Sequence, residues 1–126
     1  MVMLIGRVLM GILFVVPGIR KAMSISATVA YMAKGGVPMA DVMVYGAIAL
    51  EVLGGLALII GWKTKAIAWI LTVFLVAITL IFHSFWTFPA DQVNGQLTHF
   101  LKNIAIIGGM LYIATFGAGA SSADKA

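Results

Sequence analysis

The sequence predicts an all-α integral membrane protein, a four-helix bundle with a short interfacial helix between its first two spans. Three observations carry that expectation. Hydrophobic residues make up 63% of the 126-residue chain and charged residues 10%, where soluble domains run at roughly 45–50% apolar and about 25% charged. The apolar residues are blocked into long runs with few charges. Runs of that length read as helices, because a closed barrel would show alternating segments of ~10 residues instead. A water-soluble globule is excluded, and so is disorder, since there is ample apolar surface to bury.

The spans follow in order. The first covers residues 2–19 and is interrupted by Arg7; the second, 42–61, carries only Glu51. The third, 66–82, has no charge, and the fourth, 97–116, carries Lys102. Crossing a hydrocarbon core of about 30 Å takes roughly 17–25 helical residues, so each is long enough. A cleaved signal peptide is the competing reading of the first, with Ser24-Ile25-Ser26-Ala27 as a loose small-residue site. No basic stretch precedes the apolar run, however, and three more spans follow it.

The connections also speak. Trp62-Lys63-Thr64-Lys65 is a tight turn, which makes spans two and three antiparallel neighbours. Within 20–41, Ile25, Val29 and Met32 recur at i, i+4 and i+7 while Ser24, Thr28 and Tyr31 face away, the pattern of a helix lying in the membrane interface. Gly35-Gly36-Val37-Pro38 ends it. Residues 83–96 form a polar loop with Trp86, Phe88 and Pro89, suited to the headgroup layer. One membrane domain thus occupies 1–116, and the Gly/Ala/Ser-rich tail 117–126 is expected to fray. Both termini share one side. Lys63, Lys65 and Lys125 on that side balance Arg20, Lys21 and Lys34 on the other, so the positive-inside count ties. Cytoplasmic termini are the expected orientation.

Several chemistries drop out at once. The chain has no cysteine, which removes disulfides, iron–sulfur clusters and thiolate sites. Its net charge of +4 comes from scattered Lys and Arg without a basic tract, so nucleic acid is not an expected partner. No nucleophile–base pair, phosphate loop or HExxH motif is present, and no metal site is expected. The eight methionines are dispersed and read as packing.

What remains is charge where a bilayer penalises it. Ionisable groups inside spans are costly, about 2.5–3.5 kcal/mol each on insertion scales, and are functional hypotheses by default. At 1.5 Å per residue, Glu51 lies roughly 12 Å and Lys102 roughly 8 Å from the same membrane side. The two are therefore expected to pair, as a proton-handling couple, with Arg7 extending towards them from the opposite face. His99, Lys102, Asn103 and Ile106 share one helix face, as do Glu51, Gly54, Gly55 and Leu58, and as do Arg7, Gly11, Phe14, Gly18 and Lys21. His83 ends the third span where His99 opens the fourth. A polar pocket built from Glu51, His83, His99, Lys102 and Asn103, with Trp86 and Arg7 at its margins, is the expected site. Each residue also has a bland alternative. The Glu51–Lys102 pair would then only fix helix register, Arg7 would snorkel, the histidines and Trp86 would sit in the interface, and the glycines would serve packing.

The pattern resembles the DoxX family of small bacterial membrane proteins. Gly6-Arg7, Leu9, Gly11, Phe14, Gly18 and Lys21 are similar to its opening signature. Glu51, Gly54, Gly55, Leu58 and Gly61 resemble its second-helix motif. Phe82-His83-Ser84-Phe85-Trp86 resembles its FHxFW turn, and Phe100-Leu101-Lys102-Asn103 with Gly108-Gly109 its fourth-helix motif. The likeness runs in order from residue 6 to about 110 and is specific for family rather than activity. It implies a bacterial inner-membrane protein. Some members are subunits of quinone-linked sulfur oxidoreductases, and others accompany oxidative-stress or quinone-detoxification systems.

The expected function is accordingly a membrane subunit of a redox system that anchors a soluble oxidoreductase and shapes a quinone site. Lys102, His83 or His99 would hydrogen-bond a quinone carbonyl, Glu51 would handle the accompanying proton, and Trp86 or Phe85 would stack on the ring. The quinone enters from the resemblance alone. Two alternatives stand beside it: a small proton-coupled transporter or exporter, which at four spans requires a homo-oligomer, and a non-catalytic assembly protein.

Overall fold

The computed structural model describes residues 1–124 and is all-helical among them. Helix α1 runs Val2–Met23, α2 Ile25–Lys34, α3 Ala40–Ile60, α4 Thr64–Phe82 and α5 Val93–Phe116, with a 3-10 turn at Phe85–Thr87. The four long helices, α1 and α3–α5, are each long and apolar enough to cross a membrane. Their large exposed side chains are overwhelmingly apolar, such as Leu9, Leu53, Val73, Leu80 and Ile104. Such an exterior is solvated by lipid and not by water. The interfacial helix falls where its i, i+4, i+7 stripe places it, with Met32 buried against Val44 and Phe82.

Two helix pairs organise the bundle: α1 lies along α3, and α4 along α5. Glycine sets the first pairing. A Cβ on Gly11 would stand 2.7 Å from the Gly55 carbonyl oxygen, and one on Gly55 would stand 2.7 Å from that of Gly11. Two turns along α1 towards the α2 side, Gly18 lies against Glu51 and Val52. Close backbone approach of this kind holds helices together in lipid, where apolar side chains gain nothing by leaving the solvent. Gly11→Ala must therefore separate the helices, at a cost of about 1–3 kcal/mol by analogy with overpacked cores. Reversible unfolding in mixed micelles measures it.

Between the pairs, Phe14, Leu58, Ala68, Leu71, Leu75, Met110 and Ala114 form the core, with Leu58, Leu71 and Met110 fully buried. This core fills the half of the bundle nearer the termini. On the other side, α2 packs on α3 and roofs the end of the bundle.

The C-terminal segment departs from the expected frayed tail. Residues 117–124 turn back through positive φ at Gly117 and Gly119 and reach the α3–α4 turn. There the Ala123 and Asp124 backbone N–H groups donate to the Ile60 and Gly61 carbonyls at 2.8 and 2.7 Å. Composition suggested disorder, but the orphan carbonyls that end α3 supply partners for the segment. Residues 125 and 126 lie outside the described residues, and with them Lys125 of the side count.

Candidate functional site

The ion pair that the sequence expects is present, with a different cation. Lys21 Nζ donates to both Glu51 oxygens, at 2.7 and 3.0 Å. Lys102 stays exposed on α5. The reason is bundle order. Glu51 lies on the α3 face that meets α1, next to Gly18, so the cation one turn further along α1 reaches it. Helix α5 packs on α4 instead and presents Lys102 outward. Similar depth along the membrane normal does not decide which helix is adjacent.

Arg7 also departs from its expected place. It is 2% exposed, and it points to the terminus side. Its guanidinium donates to the carbonyls of Ile59 (3.1 Å), Ala120 (3.0 Å) and Ser121. Beside it, the Asp124 carboxylate accepts from the backbone N–H groups of Lys63 (2.7 Å) and Thr64 (2.8 Å). Asp124 thus caps α4 from sixty residues away and pins Lys63 in its left-handed conformation, φ 46°. Arg7 and Asp124 form a latch between the tail and the α3–α4 turn, far from Glu51.

The latch has a predicted pH signature. The Thr64 hydroxyl and N–H beside it, with the Lys63 N–H and the Arg7 charge, hold the Asp124 carboxyl below its ordinary range. A depressed carboxyl contributes stability that is full above the unfolded value, about 3.9, and is lost as pH falls through the lower folded value. Acid weakening of the tail below about pH 4 is therefore expected. Asp124→Asn abolishes that dependence, which proteolysis of the C-terminal segment against pH will measure.

The remaining site residues occupy the opposite end. His83 Nδ1 lies 2.8 Å from Gln96 Oε1, and because an amide oxygen only accepts, this partner holds the proton on Nδ1 and leaves Nε2 as acceptor. The His83 and His99 rings stack with centroids 4.9 Å apart. Asn103 is buried, its Nδ2 donating to Thr79 Oγ1 at 3.0 Å, which ties α5 to α4. Trp86 is 58% exposed, meets Phe85 and Phe100 edge-on, and does not line the cavity that adjoins Glu51. The five-residue polar pocket expected from the sequence is thus divided. His83 and His99 do come together, Asn103 binds Thr79, and neither Lys102 nor Arg7 joins Glu51.

A cavity of about 400 Å³ nevertheless adjoins Glu51. Lys21 and Glu51 are at its polar end, Leu50, Phe74 and Ile78 on its walls, and Tyr31, Phe82 and His83 near the α2 side. That size falls in the range of small-molecule sites, ~300–1,000 Å³. Tyr31 stacks on Phe82 with centroids 4.9 Å apart. Burial pushes the Tyr31 phenol above its ordinary value, so it keeps its O–H at neutral pH. Both Glu51 oxygens accept from Lys21, whose ammonium has a third N–H to offer. The Lys21 side chain is 31% exposed against 4% for Glu51, so the lysine is the member a ligand can touch. Sequence reasoning missed Lys21 as a site residue and missed Tyr31. The signal was available for Lys21, which closes the Arg7–Gly11–Phe14–Gly18 stripe on the same face as the packing glycines.

Known proteins are similar to this sequence. A DoxX family profile matches residues 2–84. The chain is 31% identical to Inner membrane protein YphA of Escherichia coli K12 over 123 residues, 98% of this chain and 88% of that protein. It is 38% identical to Inner membrane protein YqjF of the same organism over 122 residues, 97% and 88% of the two chains. A shorter likeness, 31% over 78 residues, links it to the Surfeit locus protein 4 homolog of Schizosaccharomyces pombe, covering 60% of this chain and 26% of that one. No solved structure matches. With Arg7, Gly11, Gly18, Lys21, Glu51 and Gly55 all on the α1–α3 contact inside the matched region, the chain belongs to the DoxX family.

Proposed function

We propose that this protein is an inner-membrane subunit of a quinone-linked redox system, and that the cavity beside Glu51 seats the quinone head. The observation that carries this reading is the Lys21–Glu51 ion pair at the end of an otherwise apolar cavity. The residues fit such a group. Phe74 and Phe82 offer ring faces, the wall is aliphatic, and Lys21 has one uncommitted donor for a carbonyl oxygen. A quinone bound there supplies the two-electron, two-proton chemistry. The protein's own residues position and exchange protons. Lys21 donates its third N–H to an acceptor, Glu51 compensates the ammonium so that the site stays neutral, and His83 Nε2 accepts a proton at the interface end of the cavity.

Two further features favour a redox subunit over a proton-coupled transporter. The core of Leu58, Leu71 and Met110 fills the space between Glu51 and the Arg7 end with apolar side chains. The polar groups at the two ends are separated by that core and make no continuous path through it. The two Escherichia coli relatives are named as inner membrane proteins, which supports the same location here. Anchoring of a soluble oxidoreductase belongs to this reading too, and co-purification from native membranes tests it.

The binding experiment uses the purified protein in lipid nanodiscs, titrated with a short-chain ubiquinone and a short-chain menaquinone. Saturable binding is expected, weakened at least tenfold by Lys21→Met and left unchanged by Lys102→Met. Folded protein that binds neither quinone overturns the proposal.

A further inference from the structure

Helices α3 and α4 are joined by a tight turn, yet each packs mainly on another helix, α3 on α1 and α4 on α5. Near the turn they touch. A Cβ on Gly54 would stand 3.0 Å from Leu71. Two turns further, a Cβ on Gly46 would meet nothing within 4 Å. On the α2 side the cavity itself lies between the two helices, with Gly46 and Ala47 on one wall and Phe74 and Ala77 on the other, and Gly46 and Ala77 are exposed there, so it opens sideways. Met43 and Ile81, about half exposed, stand at its rim. The aqueous end is covered instead. There α2 lies across the cavity, Tyr31 stacks on Phe82, and Gly35 sits so close to Phe82 that an added Cβ would come within 2.6 Å of its ring.

We propose that this gap is a lateral portal through which the cavity takes an uncharged, single-chain lipid amphiphile directly from the bilayer, its acceptor-bearing head reaching Lys21 and its chain lying between α3 and α4. Charge decides the class of ligand. A head entering sideways at this depth crosses an apolar gap, which excludes ions. The polar end it meets is already neutral, because the ammonium and carboxylate compensate each other. What the ion pair itself leaves over is one N–H donor, which suits a hydroxyl, ester or carbonyl oxygen rather than an ammonium. The inference rests on the cavity of the proposed function and on none of its redox chemistry.

The test uses two photo-crosslinking probes with the same sixteen-carbon, diazirine-bearing chain, one ending in an alcohol and one in a trimethylammonium. Each is incorporated in phosphatidylcholine vesicles holding the protein, and the adducts are mapped by mass spectrometry. The alcohol is expected to label the stretches around residues 43–47 and 74–81, and the trimethylammonium probe to label them at least fivefold less. At Gly46 an added Cβ has open space around it and leucine has the better helix propensity, so Gly46→Leu should fold, narrow the gap and lose at least fivefold of the alcohol labelling. Ala77→Leu narrows the gap from the opposite wall and stands in if the first variant fails to fold. Equal labelling by both probes, or labelling unchanged in folded Gly46→Leu and Ala77→Leu, overturns the portal. Its fate is separable from that of the quinone site. Alcohol labelling that short-chain quinones do not displace keeps the portal and counts against the quinone, while quinone binding undiminished in Gly46→Leu does the reverse.

Discussion

Arg7→Met is expected to release the C-terminal segment and destabilise the protein by about 2–4 kcal/mol, since hydrogen bonds to a charged group contribute ~1.5–3 kcal/mol and their carbonyl partners are left unpaired. The guanidinium ties three carbonyls from two parts of the chain, Ile59 at the end of α3 and Ala120 and Ser121 in the tail. Methionine fills the volume and satisfies none of them. Arg7→Lys should recover little, because a single ammonium cannot reproduce the spread of donors from one planar fork. The loss should appear both as a lower unfolding midpoint and as protease cleavage after residue 116. An intact tail in the methionine variant would mean that the Asp124 carboxylate and the Ala123 and Asp124 backbone hydrogen bonds hold the segment without Arg7.

The second large effect is at Glu51. Lys21→Met leaves a deeply placed carboxyl without its cation, and breaking a buried pair by removing one partner costs about 3–5 kcal/mol. The double variant Lys21→Met/Glu51→Gln should regain much of that, because two neutral side chains carry no ionic desolvation penalty. Lys102→Met should stay within about 0.5 kcal/mol of the parent, as an exposed substitution away from such features does. A double-mutant cycle on Lys21 and Glu51, with Lys102 as control, reads all of this in one series. Strong coupling between Glu51 and Lys102 instead would mean that α5 meets α3 in the membrane, through another arrangement or another copy. The same variants separate function from support. Restored stability in the double variant with lost quinone binding assigns the pair to the site, whereas restored stability with intact binding makes it a device for helix register.

Part of the candidate site was legible as residue types. Glu51 stood out because a carboxylate in an apolar run has to be compensated, and the facing stripe of Arg7, Gly11, Phe14, Gly18 and Lys21 already held both the packing glycines and the compensating lysine. His83 at the end of α4 and His99 in the second turn of α5 meet as the chain order implies, since a short loop joins those helices. Asn103 was legible as inward-facing, though its partner, Thr79, carried no signal of its own. The tail misled for a physical reason. Gly, Ala and Ser report low intrinsic order, but these residues also fit tight positive-φ turns, and the order here comes from acceptors and donors that the tail finds on α1, α3 and α4.

The sequence by itself determined the solvent and therefore the elements. Long apolar runs in a bilayer must satisfy their backbone internally, so four spanning helices and one interfacial helix follow from composition and period alone. Only the tertiary structure decided which helices touch. In lipid, no hydrophobic gradient ranks one apolar face above another, so pairing rests on close backbone approach and on a few polar contacts. Those terms are specific to three-dimensional shape. They put α1 against α3 through Gly11 and Gly55, gave Glu51 to Lys21, sent Lys102 outward, and left the gap at Gly46 open.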